Sequence, residues 1–280
     1  MKKAISIWAF PGGWTLRQCF ECAKAAGFDG VEVSLDAQGE IGLDSTYEDV
    51  MKVKKAADEV GIELFSVATG LYWDYSMTVD DKAIVEKAKS IVKKQLDVAS
   101  WLGCDTILVV PGGVKADFVE GAPVVPYDLA YDRALEAIKE LAPYAEEKGV
   151  SIGLENVWNK FLLSPLEMRD FIDKVGSDYV GSYFDVGNVL FSGYPEHWIK
   201  ILGKRIKKVH FKDYRRAAGG LHGFVDLLAG DVDYPAVKKA LDEIGYDGWV
   251  TAETIPPYNH YTDQIIYNTA LSMDRIINEK

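Results

Sequence analysis

The chain has 280 residues, 48% of them hydrophobic and 26% charged, and its 31 Lys and Arg against 43 Asp and Glu give a net charge of −12. That composition excludes a disordered or collagen-like chain, and the acidic excess excludes a polyanion-binding surface, so no nucleic-acid partner is expected. No apolar run reaches the ~18 residues of a membrane span, the run Ala4–Phe10 is too short for a secretory signal, and three cysteines fit a reducing, cytoplasmic compartment better than a disulfide scaffold.

Taken in chain order, short apolar runs alternate with long amphipathic stretches. The predicted strand Ala4–Ala9 precedes a helix over Thr15–Ala26. Gly30–Ser34 precedes Ser45–Val60, Ile62–Val67 precedes Asp80–Leu102, and Asp105–Val110 precedes Pro126–Lys148. In the second half Val150–Glu155 pairs with Pro165–Val175, Tyr179–Asp185 with Glu196–Leu202, Arg205–Phe211 with Tyr234–Ile244, and Trp249–Thr254 with Thr262–Ile277. Near-continuous apolar strands are those of a parallel sheet covered by helices. Glycine closes the helices at Gly27, Gly61, Gly103 and Gly149, and proline opens them at Pro126, Pro165, Pro195 and Pro235. Eight strand–helix units without a linker predict one (β/α)8 TIM barrel over residues 1–280. Pro11-Gly12-Gly13 is a poor dinucleotide fingerprint, which argues against an open doubly wound sheet. Cys19 and Cys22 form a CxxC inside a helical pattern and read as packing residues.

In such a barrel, chemistry collects where strands end. Four consecutive predicted strands end in Glu155, Asp185, His210 and Glu253. Three carboxylates on one rim repel each other unless a cation sits among them, and three oxygens with one imidazole suit Mn²⁺, Mg²⁺, Co²⁺, Zn²⁺ or Fe²⁺. Lys212 and Asp213 follow His210, and Asp213 is a candidate to orient the ring or hold Lys212. Glu32 is read either as a buried polar group or as a rim salt bridge. Trp8, Phe10, Trp14, Tyr72, Trp73 and Trp158 fall in or just after strands and offer an apolar wall for a small polar ligand. His222 and His260 lie on rim loops within reach of a ligand, whereas His197 reads as a helix surface or packing residue.

The segments Gly153-Leu154-Glu155-Asn156, Tyr183-Phe184-Asp185-Val186-Gly187-Asn188, Val209-His210-Phe211-Lys212-Asp213 and Ala252-Glu253 resemble the xylose-isomerase-like TIM-barrel superfamily. Within it they are similar to the sugar-phosphate isomerase/epimerase branch, which includes ketose 3-epimerases and L-ribulose-5-phosphate 3-epimerases. The resemblance implies one divalent metal, most often Mn²⁺, on Glu155, Asp185, His210 and Glu253, with Glu155 and Glu253 as the acid/base pair. It implies substrate contacts at Asn188 and Arg216, to which the reading of the rim and its loops adds Lys212, Trp14, Trp73 and His222. It also implies a homodimer or homotetramer. Free-sugar epimerases of this type carry a His where this chain has Asn188 and a Glu where it has Phe161. Lys212, Arg215, Arg216 and Gly219-Gly220 would offer a phosphate clamp. The expected activity is epimerisation at C3 of a small ketose or ketose phosphate through an enediolate. Aldose–ketose isomerisation, dehydration of an inosose, and a non-catalytic metal-binding scaffold are the alternatives.

Overall fold

The computed structural model describes residues 1–254 and 258–278; Pro256 and Pro257 of the predicted rim loop lie outside them. Strands β1 (Lys2–Ser6), β2 (Gly30–Ser34), β3 (Glu63–Ala68), β4 (Thr106–Val109), β5 (Ser151–Glu155), β6 (Val180–Asp185) and β7 (Ile206–Phe211) follow each other along the chain. The two-residue strands β8 (Asp213–Tyr214) and β9 (Phe224–Val225) then precede β10 (Trp249–Ala252). All except β8 and β9 close one parallel barrel in the order β1-β10-β7-β6-β5-β4-β3-β2, the predicted architecture. The short β8–β9 pair is antiparallel and forms the base of the excursion that follows β7.

The helices are α1 (Leu16–Ala26), α2 (Tyr47–Val60), α3 (Lys82–Leu102), α4 (Tyr127–Lys148), α5 (Pro165–Val175), α6 (Pro195–Leu202), α7 (Tyr234–Glu243) and α8 (Gln264–Asn278). Their starts follow local chemistry. Thr15 and Thr46 cap α1 and α2 through capping boxes with Gln18 and Asp49, and Asp81 caps α3. None of the described helices is long and apolar enough to cross a membrane.

The predicted first strand overshoots. It ends at Ser6, whose hydroxyl accepts from the Trp8 amide and turns Ile7–Ala9 into a 3-10 turn. An apolar run cannot by itself distinguish that turn from a strand. Cys19 and Cys104 are buried and Cys22 half-buried, as packing residues should be, and burial pushes the Cys19 thiol up to about 12.

Candidate active site

Strand alternation determines what enters the barrel. On β7, residues at every second position share a face, so Lys208, His210 and the following Lys212 rise through the barrel in layers. Lys208 is buried at the far end and pairs with Asp105 at 2.6 Å. On β6 the same alternation places Tyr183 below Asp185. Parallel register sets Asp185 beside His210 and Glu155 beside Tyr183. Glu253 stands one residue beyond β10, where its amide donates to the Phe211 carbonyl at 3.0 Å.

Glu155, Asp185, His210 and Glu253 thereby converge, each offering one ligand atom, all within 4.8 Å of one another. Asp185 and His210 are 0% exposed, Glu253 6% and Glu155 8%. His210 Nδ1 lies 3.5 Å from both Glu155 Oε1 and Glu253 Oε2, and 3.9 Å from Asp185 Oδ2. Nδ1, Asp185 Oδ2 and Glu253 Oε2 are buried, yet none makes a hydrogen bond of acceptable geometry. Buried polar atoms normally find partners. Converging lone pairs from three carboxylates and one imidazole are the donor set of a divalent cation, so the residues fit one.

Lys212 is the local counter-charge. Its ammonium lies 3.2 Å from Asp185 Oδ2, is ion-paired with Glu253 Oε2, and sits 5.1 Å from the Phe224 ring centroid. The two glutamates therefore differ. Burial pushes the Glu155 carboxyl up to about 7, with the neighbouring Glu253 charge adding to the shift. Burial would also raise Glu253, but Lys212 and His210 outweigh it and hold Glu253 well below the usual carboxylate range.

The partner of the histidine is Glu32, not Asp213. His210 Nε2 lies 3.0 Å from Glu32 Oε1. A carboxylate carries no proton to give, so Nε2 is the N–H; burial would lower the imidazole's pKa, but Glu32 and the clustered carboxylates hold it well above the ordinary value, and Nδ1 would offer its lone pair to the cluster once a cation displaces that proton. Glu32 is 0% exposed and also accepts from Ser66 Oγ at 3.0 Å and from the Tyr183 hydroxyl. The rim salt bridge considered for Glu32 is absent among its described contacts. Sequence offered one signal for it, a charged residue in the otherwise apolar strand Gly30–Ser34. Asp213 instead accepts the backbone amides of Tyr214, Leu228, Gly230 and Val232, which ties the base of the β7 excursion together.

Asn156, not singled out from sequence beyond its motif, joins two strand ends. Its amide donates to the Asp185 carbonyl at 2.8 Å and accepts from the Asp185 amide at 2.9 Å. Asn188 donates to the Asn156 carbonyl at 3.0 Å. Gly187 allows the β6 end to lie against the backbone of β7, since a Cβ there would meet the Lys212 carbonyl oxygen at 2.7 Å. Gly187→Ala is expected to destabilise the fold by about 1–3 kcal/mol, the usual cost of overpacking, and to weaken divalent-cation binding because Lys212, beside Asp185 and Glu253, must shift. Chemical denaturation and metal titration of the variant check both.

A cavity of about 480 Å³ opens over the cluster. Glu155, Glu253, Asn188, Lys212, Trp73 and His222 line it, with Trp8, Trp158 and Phe224 among its apolar walls. The predicted aromatic wall is thus partly present. Tyr72 and Phe10 are core residues, and Trp14, 36% exposed, is not among the cavity's lining residues. His260 and the surface-exposed His197 are not among them either. The phosphate clamp is not assembled. Arg216 donates to the Leu190 and Gly193 carbonyls and stacks over Tyr194, and Arg215 donates to the Ala229 carbonyl. Both guanidiniums thereby brace rim loops, which a sequence without long-range contacts could not reveal.

A closed parallel barrel with a buried acidic and imidazole cluster at its C-terminal rim defines a class of cation-assisted enzyme scaffolds. The family model described as "Xylose isomerase-like TIM barrel" matches residues 20–268, and the chain belongs to that family. It is 25% identical over 265 residues to the inosose dehydratase of Geobacillus thermodenitrificans, covering 86% of this chain and 83% of that one. It is 27% identical over 261 residues to the L-ribulose 3-epimerase of Methylomonas sp., covering 89% and 82%. The solved D-psicose 3-epimerase of Clostridium cellulolyticum H10, crystallised with D-tagatose, superposes with a TM-score of 0.78 over the whole of both chains at 19% identity, a likeness of fold.

Proposed function

We propose that this protein is a metal-dependent ketose 3-epimerase, with Glu155, Asp185, His210 and Glu253 holding one divalent cation, Mn²⁺ by preference. The observation that carries the reading is the placement of two glutamates, Glu155 and Glu253, in the wall of one cavity, each 3.5 Å from the same imidazole nitrogen. A bound cation would supply Lewis-acid stabilisation for the charge that develops on the substrate's C2 and C3 oxygens. The carboxylates do the proton work. One accepts the C3 proton, and the other delivers a proton to the opposite face of the planar enediolate carbon. Lys212 adds fixed positive charge beside Glu253 and Asp185, and the apolar walls exclude water. With one lysine and no arginine among the described lining residues, the cavity favours an unphosphorylated ketose.

Dehydration of a cyclic polyol ketone is the second reading. It uses the same base and would need an acid for the departing hydroxyl, for which His222 in the cavity wall is the available imidazole. The similarity to inosose dehydratases supports it. Incubation of Mn²⁺-loaded protein in D₂O with pentuloses, hexuloses and inososes separates the two. The proposed function expects deuterium at C3 together with the C3 epimer. An unsaturated or diketone product without an epimer would replace it by dehydration, and the absence of both C–H exchange and any product would sink both.

Cation binding should also be linked to protons. Glu155 near 7 must give up its proton before it can ligate. Its raised value contributes stability at low pH that is lost as pH rises through about 7, and cation affinity grows over the same interval. Calorimetry in buffers of different ionisation enthalpy is expected to show about one more proton released per Mn²⁺ at pH 6 than at pH 8.5. Equal release at both pH values would contradict this assignment.

A further inference from the structure

The cluster cavity has an apolar neighbour. A second cavity of about 500 Å³ lies between the loops that follow β5 and β6. It shares five lining residues with the first: Phe118, Val157, Trp158, Asn188 and Leu221. Trp158 is fixed at this junction. Its indole N–H donates to the Asn188 carbonyl at 2.8 Å, and its ring packs against Phe191, Tyr214 and Phe224. Beyond the junction Leu163 and Phe191 are 61% and 59% exposed, although both line the cavity.

The wall on the β5 side is built at a conformational cost. Lys160 and Leu162 hold φ values of 57° and 52°, a left-handed backbone that side chains with a Cβ rarely adopt. Asn159, 5% exposed, enforces it. Its amide donates to the Gly112 carbonyl at 2.8 Å and accepts from the Phe161 amide at 3.2 Å, while its own carbonyl accepts from Val114 and Lys115. The result buries Phe161 and leaves Leu162 and Leu163 lining the cavity. Strain that the surroundings over-determine marks a segment whose shape has a use.

We propose that this second cavity is a substrate subsite, and that the natural substrate is a sugar ketone carrying an apolar or aromatic substituent at the end remote from the reacting carbons. A small free ketose fills only the cluster cavity and leaves an apolar neighbour of equal size without a ligand. An ether- or glycoside-linked aryl or alkyl group would cross beside Trp158 and bury its apolar area between Leu163 and Phe191. The inference rests on the ketose-epimerase reading for its chemistry and on the adjoining cavity for its specificity.

The test compares D-fructose with 6-O-benzyl-D-fructose on Mn²⁺-loaded protein. The dissociation constant comes from calorimetry, and KM and kcat from deuterium exchange at C3. The benzyl ether is expected to bind at least ~10-fold more tightly with a correspondingly lower KM, and kcat should stay within about threefold, as for binding that is uniform between ground and transition states. Leu163→Ser, remote from the carboxylate cluster, should erase most of the preference and leave the constants for D-fructose unchanged, whereas Phe191→Ser, which also removes a ring packed on Trp158, should erase the preference whatever it does to D-fructose. Equal affinity for the two sugars, or a preference that survives in both variants, overturns the subsite even if exchange proceeds. A binding preference without exchange supports the subsite and rejects the epimerase reading. Light scattering identifies the competing occupant: if Phe191→Ser dissociates a dimer while the benzyl preference persists, the cavity is an interface between copies and the proposal falls.

Discussion

Glu155→Gln and Glu253→Gln, each loaded with Mn²⁺, should turn over a C3-epimerisable ketose about 10²–10⁴-fold more slowly than the parent, the span that a positioned general acid or base supplies. Glutamine keeps the size and one oxygen ligand but cannot exchange the proton. Metal content must be measured in each variant, since loss of the cation would mimic the loss of the base. The two substitutions are not equivalent in this site. Glu155 sits near 7 by burial, whereas Glu253 is ion-paired with the buried Lys212 ammonium. Glu253→Gln leaves Asp185 as the remaining carboxylate within 4 Å of that ammonium, so it should also lower thermal stability, and Glu155→Gln should not. Each metal-loaded variant should still exchange the C3 hydron of the epimer whose proton faces the surviving carboxylate, while net epimerisation fails. If both metal-loaded variants epimerise within a few-fold of the parent, the two-base mechanism is wrong.

Glu32→Gln should weaken Mn²⁺ binding by about 10–100-fold, the usual cost of removing the carboxylate that orients a ligating histidine. The amide still accepts a hydrogen bond from Nε2, so the ring stays in place; what disappears is the charge that makes the imidazole a better donor. Tyr183→Phe and Ser66→Ala each remove one of the hydroxyls that hold Glu32, and each should have a smaller effect in the same direction. The cation-free melting temperature is the discriminating control. Glu32 is wholly buried and paired with the buried His210, and removing one partner of such a pair can itself cost stability, so metal affinity and melting temperature are read together. A fall in melting temperature without a fall in metal affinity would make Glu32 a structural group only.

The barrel and the four clustered side chains were legible because both are written locally. Parallel strands buried on both faces read as apolar runs, helix ends carry glycine, and each of the four groups stands at the end of such a run. Glu32 was visible as an oddity in an apolar strand, but its partner is 178 residues away. Which layer of a barrel a side chain meets depends on register and stagger around the whole ring, and no window of sequence contains that. The same reason explains Arg216. Its charge suggested an anion, and only the folded chain brings the Leu190 carbonyl within 3.0 Å of its Nε. Asp213 looked like a partner for its neighbours in sequence, and it serves amides up to 19 positions onward.

The knot at Asp213 separates two inheritable properties of the molecule. One carboxylate gathers the amides of Leu228, Gly230 and Val232 at the base of the excursion, immediately after the strand that carries His210. The outer turns between them supply Leu221, His222 and Phe224 to the cavity wall. Substitutions at Leu221 and His222 can therefore be accommodated above the knot, whereas Phe224 packs on Trp158 and against the Lys212 ammonium and stays tied to the cluster. Substrate range and cation chemistry are thus free to drift at different rates, the first at Leu221 and His222 and the second held by the barrel.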